Sequence, residues 1–371
     1  MHIALFLPSL EGGGAERVTV NLARGFAARG HQVDLVLASR TGPFLDAVPA
    51  EVRIVDLGVR RVVRALGPLA RYLRSARPDA LISALDHANL IALWAVRRAR
   101  VATRTIVVVH TTMSRTIASP GAWTDRAILP PLIRHFYVRA DAVVAVSAGA
   151  GADLRSFLGA RVRDVHVIAN PVVFSDLASD AASGTPHPWF TDGGLPVLLG
   201  VGRLWHQKNF GMLLRAFALA GLQKRARIVI LGEGPLRRDL ELLRAELNLD
   251  STVALPGFAR SPYPSMLRAA AFVLPSVFEA LPTVLIEALA LGTPVISTDC
   301  PTGPAEILEQ GRWGTLVPMG DIGALARALS AAIDAAPSRR NVPPEILRPY
   351  SVDLAIDRYL SLLESPARAR Q

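Results

Sequence analysis

Val277-Phe278-Glu279-Ala280-Leu281-Pro282-Thr283-Val284-Leu285-Ile286-Glu287-Ala288-Leu289-Ala290-Leu291-Gly292-Thr293-Pro294 sets two carboxylates, Glu279 and Glu287, around the start of a helix. Pro282 suits the first helical position, where its missing N–H is not needed and its φ is already set. Gly292 and Pro294 stop the helix in the usual order. Glu279 is therefore expected in the loop facing the helix mouth, with Glu287 about a turn and a half inside. The N–H groups near Leu281 to Val284 point outward at the positive end of the dipole, a ready place for phosphate. A helix entered in this way from the apolar run Ala271–Leu274 is one βα unit of a parallel sheet.

The same alternation extends outward in both directions. Ile3–Leu7, Gln32–Ala38, Arg53–Asp56, Ala80–Ala84, Arg104–His110, Ala142–Val146 and Val165–Ile168 read as strands. Helical patterns fill the intervals at Ala15–Arg29, Val62–Ala76 and Asn89–Arg100. After a Pro/Gly/Ser-rich stretch from Ser175 to Leu195, strands recur at Val197–Val201, Arg227–Gly232, Val253–Pro256, Ala271–Leu274, Pro294–Ser297 and Gly314–Val317. The α/β order predicts two doubly wound domains, the second similar in size to the first but not a repeat of it. The expected division is 1–172, a connection at 173–195, 196–346, and a tail 347–371 whose helix buries Leu354, Ile356, Tyr359, Leu360 and Leu363. Two such domains imply a cleft at the carboxyl ends of their strands.

Composition excludes several classes. Of 371 residues, 51% are hydrophobic, enough for large cores and against disorder. A single cysteine, Cys300, excludes an internal disulfide and fits a reducing, cytoplasmic compartment. The start, Met1-His2-Ile3-Ala4-Leu5-Phe6-Leu7, lacks a basic n-region and reads as a buried strand, not a signal peptide. Charge is uneven: residues 1–170 carry 22 Lys/Arg against 12 Asp/Glu, and the remainder is neutral. Within the stretch from Val59 to Arg74 a basic face accompanies an apolar one, with Pro68 interrupting the helix, which fits either an anionic membrane surface or an ordinary amphipathic helix packed on the sheet. No nucleic-acid recognition motif accompanies the net +10, so nucleic acid is not an expected partner.

Candidate chemistry sits in loops that follow strands. Gly12-Gly13-Gly14 after the first strand lets backbone approach a ligand closely, although it is not a dinucleotide fingerprint. Arg203 and Lys208 lie five apart between a strand and a helix, where two cations can neutralise a diphosphate. His110 closes an apolar strand at its carboxyl end. No Cys/His cluster has zinc spacing.

Gly12–Arg17, Val201-Gly202-Arg203-Leu204 with Gln207-Lys208-Asn209-Phe210, Glu279-x7-Glu287 and Ser297–Pro304 occur in an order that resembles the retaining, nucleotide-sugar-dependent glycosyltransferases of family 4. The resemblance runs from about Ile3 to Tyr359 and implies a GT-B fold, two Rossmann-like domains facing across a cleft with the last helix crossing back to the first. It implies that Glu279 contacts hydroxyls of the transferred sugar and Glu287 the ribose. Arg203 and Lys208 hold the diphosphate, with backbone near Leu281 and Thr283. Gly13 and Gly14 border phosphates and acceptor, His110 lies near the donor sugar, and the loop ending in Phe258 holds the base. Ala280 stands where the family usually has Gly, and Ala305-Glu306 where Arg-Glu is common. No metal or other cofactor is expected. The implied reaction moves a sugar from a nucleotide-sugar donor, UDP expected over GDP, to a saccharide or lipid-linked acceptor in bacterial surface glycan synthesis. The alternatives are a GT-B-type sugar-nucleotide epimerase or hydrolase, and a basic nucleic-acid-binding protein.

Overall fold

The computed structural model describes residues 1–118, 127–159, 164–335 and 339–364. Two compact units divide the chain, one formed by Met1–Val172 with Pro349–Gln371 and the other by Val173–Arg348. Each is taken by itself.

The first unit is built on a seven-stranded parallel sheet. Its strands are β1 (His2–Leu7), β2 (Gln32–Leu37), β3 (Arg53–Asp56), β4 (Ala80–Ala84), β5 (Arg104–Val109), β6 (Ala142–Ala145) and β7 (Val165–Val167), in the order β3-β2-β1-β4-β5-β6-β7. Five of six β1 residues and all five β4 residues are buried, as strands covered by helices on both faces must be. The last helix, Val352–Glu364, packs on the first helix, Gly14–Ala28, through an edge contact of Tyr359 with Phe26 and ion pairs from Arg29 to Asp353 and Asp357.

One sequence expectation changes here, and one left open is decided. The Val59–Arg74 stretch forms a short 3-10 turn, Val62–Ala65, and a helix, Leu66–Ala76. Pro68 does not interrupt that helix; it sits in its first turn, where no N–H is needed. The apolar face is also spent. Leu69, Ala70, Tyr72 and Leu73 are buried in a core with the helix Asp86–Ala99. What remains at the surface is charge, with Arg60, Arg61, Arg64, Arg71 and Arg74 exposed beside the 58% exposed Val63.

The second unit carries a six-stranded parallel sheet of β8 (Val197–Val201), β9 (Arg227–Leu231), β10 (Val253–Gly257), β11 (Ala271–Leu274), β12 (Val295–Thr298) and β13 (Thr315–Val317). Its order is β10-β9-β8-β11-β12-β13. The first six positions of the first sheet follow the same path, so the two units repeat one topology although their sequences do not show it. Phe210, Phe217, Leu213 and Leu325 centre the second core. The stretch 173–195 carries the helix Leu177–Ser183, which buries Leu177 and Ala181. Two apolar residues one turn apart suffice to dock a helix of this length, despite the surrounding Ser, Gly and Pro.

Candidate active site

In the second sheet the chain leaves β8 in one direction to build β9 and β10, then returns to place β11 on the other side of β8. The loops after β8 and β11 therefore diverge at the carboxyl edge of the sheet, the point where open α/β sheets bind ligands. Arg203 and Lys208 are on the first loop and Glu279 on the second.

These loops are joined by charge. Lys208 Nζ donates to Glu279 Oε1 at 2.6 Å, with side chains only 15% and 8% exposed. Ser276 Oγ donates to the same oxygen at 2.7 Å, and Gln207 Nε2 reaches Oε2 at 3.4 Å and Phe278 O at 2.9 Å. The Lys208 stem lies against Gly202, where an added Cβ would come within 3.1 Å of it. Arg203, by contrast, is exposed, four residues from Gln207 on the same loop. Cys300 is buried nearby, its thiol pushed up to about 12 by burial and then by the Glu279 charge, which leaves it an inert neighbour.

The helix that follows, Thr283–Ala290, starts one residue later than its sequence predicts. Pro282 is the cap, with φ −70° and ψ 102°, and Leu285 N and Ile286 N both donate to its carbonyl. The N–H groups of Thr283 and Val284 thus precede the intrahelical ladder, as at any helix mouth. Leu281 and Thr283 are buried beside it. The β12 loop closes over the entrance: Thr302 Oγ1 donates to Glu279 O at 2.5 Å, and Glu279 N donates to Pro301 O at 3.2 Å. Gly303 has φ +86°, and a Cβ there would meet Pro282 Cδ at 2.7 Å, so only glycine passes. Ala280 does not need positive φ, which explains why alanine serves in place of glycine.

Glu287 is fully buried in the first turns of the helix, and Tyr263 Oη donates to its Oε1 at 3.4 Å. Phe258, 38% exposed, follows the edge strand β10, whose register shifts between Ala254 and Gly257 around Pro256. A proline is tolerated at such an edge irregularity.

In the first unit, Gly13 caps the helix Gly14–Ala28, and the buried Glu16 carboxylate folds back over it, 2.3 Å from where a Gly13 Cβ would stand. A carboxyl group therefore shares this helix mouth with Gly13 and Gly14. His110 follows β5. Burial pushes its imidazole down to about 4, and its Nε2 is enclosed with no hydrogen-bond partner among the described residues, so the ring is neutral at pH 7. Next to it Thr111 Oγ1 donates to Asp86 Oδ2 at 3.4 Å, while Tyr137 Oη donates to Asp86 Oδ1 at 3.0 Å. Burial raises the Asp86 carboxyl.

Sequence reading assigned no role to Gln207, Ser276, Thr302, Tyr263 or Asp86, although Gln207 and Thr302 lie inside motifs that carry the family resemblance.

Two families match the chain: "Glycosyltransferase Family 4" over residues 12–175 and "Glycosyl transferases group 1" over residues 195–335. The N-acetylgalactosamine-N,N'-diacetylbacillosaminyl-diphospho-undecaprenol 4-alpha-N-acetylgalactosaminyltransferase of Campylobacter jejuni is 26% identical, over 90% of each chain. The lipopolysaccharide core biosynthesis glycosyltransferase LpsE of Rhizobium meliloti is also 26% identical, over 95% of this chain and 96% of its own. Among solved structures, Anabaena HepE in complex with UDP-glucose aligns with TM-score 0.79 and 19% identity, over 99% of this chain and 100% of its own, which places the chain in the GT-B fold.

Proposed function

We propose that this chain, which belongs to the group 1, family 4 glycosyltransferases, transfers a hexosyl unit from a UDP-sugar to a lipid-linked saccharide with retention at the anomeric carbon. The observation that carries this reading is the Lys208–Glu279 pair at the strand-order reversal of the second sheet, with Arg203 exposed on the same loop and a helix mouth beside it. HepE binds UDP-glucose on the same fold, and the Campylobacter relative is named for an undecaprenol-diphosphate saccharide. LpsE is named for lipopolysaccharide core synthesis, which favours a surface-glycan product here.

Cleavage of a sugar–phosphate bond builds negative charge on the diphosphate. Arg203, Lys208 and the N–H groups of Thr283 and Val284 take that charge, the largest single contribution such sites usually make. Arg203 and Lys208 are assigned this task without a metal ion. Glu279 grips sugar hydroxyls and Glu287 the ribose. With no protein nucleophile assigned, the acceptor oxygen attacks the anomeric carbon from the face the phosphate leaves. The acceptor O–C bond forms, the C–O bond to phosphate breaks, and the acceptor proton passes to the departing phosphate oxygen. Gly13, Gly14 and neutral His110 are assigned to acceptor and donor sugar on the first unit. The exposed arginines of the first unit attract an anionic membrane by charge, about 1 kcal/mol each near such a surface.

A nucleotide-sugar panel read by thermal shift tests the donor, because a ligand at 100 times its Kd stabilises by about 2.7 kcal/mol. UDP-sugars should shift melting with EDTA present, and GDP-mannose should not. No shift with any of them, or donor turnover unaffected by acceptor, overturns the transfer reading. Flotation with phosphatidylglycerol vesicles tests the membrane surface; binding that ignores salt or anionic lipid overturns it.

A further inference from the structure

Glu279 presents a problem of orientation. The last torsion of a glutamate side chain is broad and has no staggered wells, so neighbouring hydrogen bonds decide which way the carboxylate plane faces. In this site those bonds come from two directions. Ser276, fully buried, donates to Oε1 at 2.7 Å, and Gln207, half-buried on the β8 loop, reaches Oε2 at 3.4 Å. Each donor is itself held. Thr298 Oγ1 bonds to Ser276 O, and Gln207 Nε2 also bonds to Phe278 O at 2.9 Å while Gln207 O accepts from Val277 N at 2.9 Å.

Lys208 is the third donor, but in the transfer reading it must also serve a diphosphate. When its ammonium turns toward phosphate, the carboxylate loses its strongest electrostatic anchor. The hydrogen bonds of Ser276 and Gln207 described above do not involve Lys208. We propose that Ser276 and Gln207 are positioning residues for Glu279, each holding one carboxylate oxygen so that the group keeps one orientation toward the donor sugar when Lys208 engages the diphosphate. This rests on the transfer reading above.

The test compares the affinity of the best-binding nucleotide sugar from the UDP-glucose, UDP-galactose, UDP-GlcNAc and GDP-mannose panel with that of its nucleoside diphosphate. The ratio isolates the sugar contact. Gln207→Ala and Ser276→Ala should each reduce that preference by about tenfold, the scale of a lost hydrogen bond to a charged group, with nucleoside diphosphate affinity unchanged. On a Glu279→Gln background either substitution should change the ratio by less than about twofold, since the charged group it orients is gone. An undiminished preference in both single variants overturns the proposal, as does the same loss on the Glu279→Gln background. Gln207→Ala, at a half-buried loop position, keeps the test open if Ser276→Ala fails to fold. If no nucleotide sugar or diphosphate binds the unsubstituted chain, the transfer reading fails and takes this one with it.

Discussion

Lys208→Met separates the structural and chemical duties of one side chain. It retains the aliphatic stem against Gly202 and deletes the charge that meets Glu279 Oε1 at 2.6 Å. Removing one partner of a buried pair costs about 3–5 kcal/mol because the other charge is left behind. Here Ser276 and Gln207 still donate to the carboxylate, so the loss should be smaller, about 2–3 kcal/mol. For a unit of this size that corresponds to a fall of roughly 4–12 °C in its melting transition. The chemical loss is separate: a missing donor to developing diphosphate charge should lower donor turnover by about 10²–10³-fold. Adding Glu279→Gln removes the stranded charge and should recover most of the stability, while turnover stays low. Calorimetry and nucleoside diphosphate release measure the two. If Lys208→Met turns over donor within about twofold of the unsubstituted chain, or if the double variant regains turnover together with stability, Lys208 is a structural partner of Glu279 and nothing more.

Three further outcomes follow from the geometry. Glu287→Gln, an isosteric change at a fully buried carboxylate beside Tyr263, should weaken nucleoside diphosphate binding about tenfold by calorimetry and leave the turnover of bound donor much less affected. Gly303→Ala forces a Cβ toward Pro282 Cδ at φ +86°; it should cost about 1–3 kcal/mol in chemical unfolding and weaken nucleotide binding by displacing the helix mouth. His110 should make stability rise with pH between about 4 and 6.5. Its folded pKa is depressed, so the unfolded chain binds more protons in that window, and the contribution is present above 6.5 and lost on acidification through 4. Because the residue is only partly buried overall, the effect should be of order 1–2 kcal/mol, and His110→Gln should flatten the pH dependence of urea midpoints.

How much of this was legible in advance depends on whether the controlling interaction is local. Strand β4 is buried at every residue, and its Ala80-Leu81-Ile82 run announced that without any knowledge of partners. The same is true of the helix mouth, because Pro282 constrains its own backbone; the one-residue shift at its start reflects Pro282 being extended at ψ 102° and serving as the cap. Repetition of the fold was not legible. Both sheets follow one strand order, but any apolar sequence of suitable length satisfies a covered parallel strand.

By itself, then, the sequence determined two α/β units and the helix start beside Pro282, since periodicity and backbone constraint are properties of neighbours in the chain. Only the tertiary structure decided that Lys208 and Glu279, 71 positions apart, pair with one another, and that Ser276 and Gln207 donate to the same carboxylate. It also decided that the apolar face of the helix Leu66–Ala76 belongs to the core while Arg71 and Arg74 stay exposed. The physical reason is the same in each case. A charge or an apolar face must find a partner when water is removed, and which partner it finds depends on where strand order and loop closure bring distant segments together.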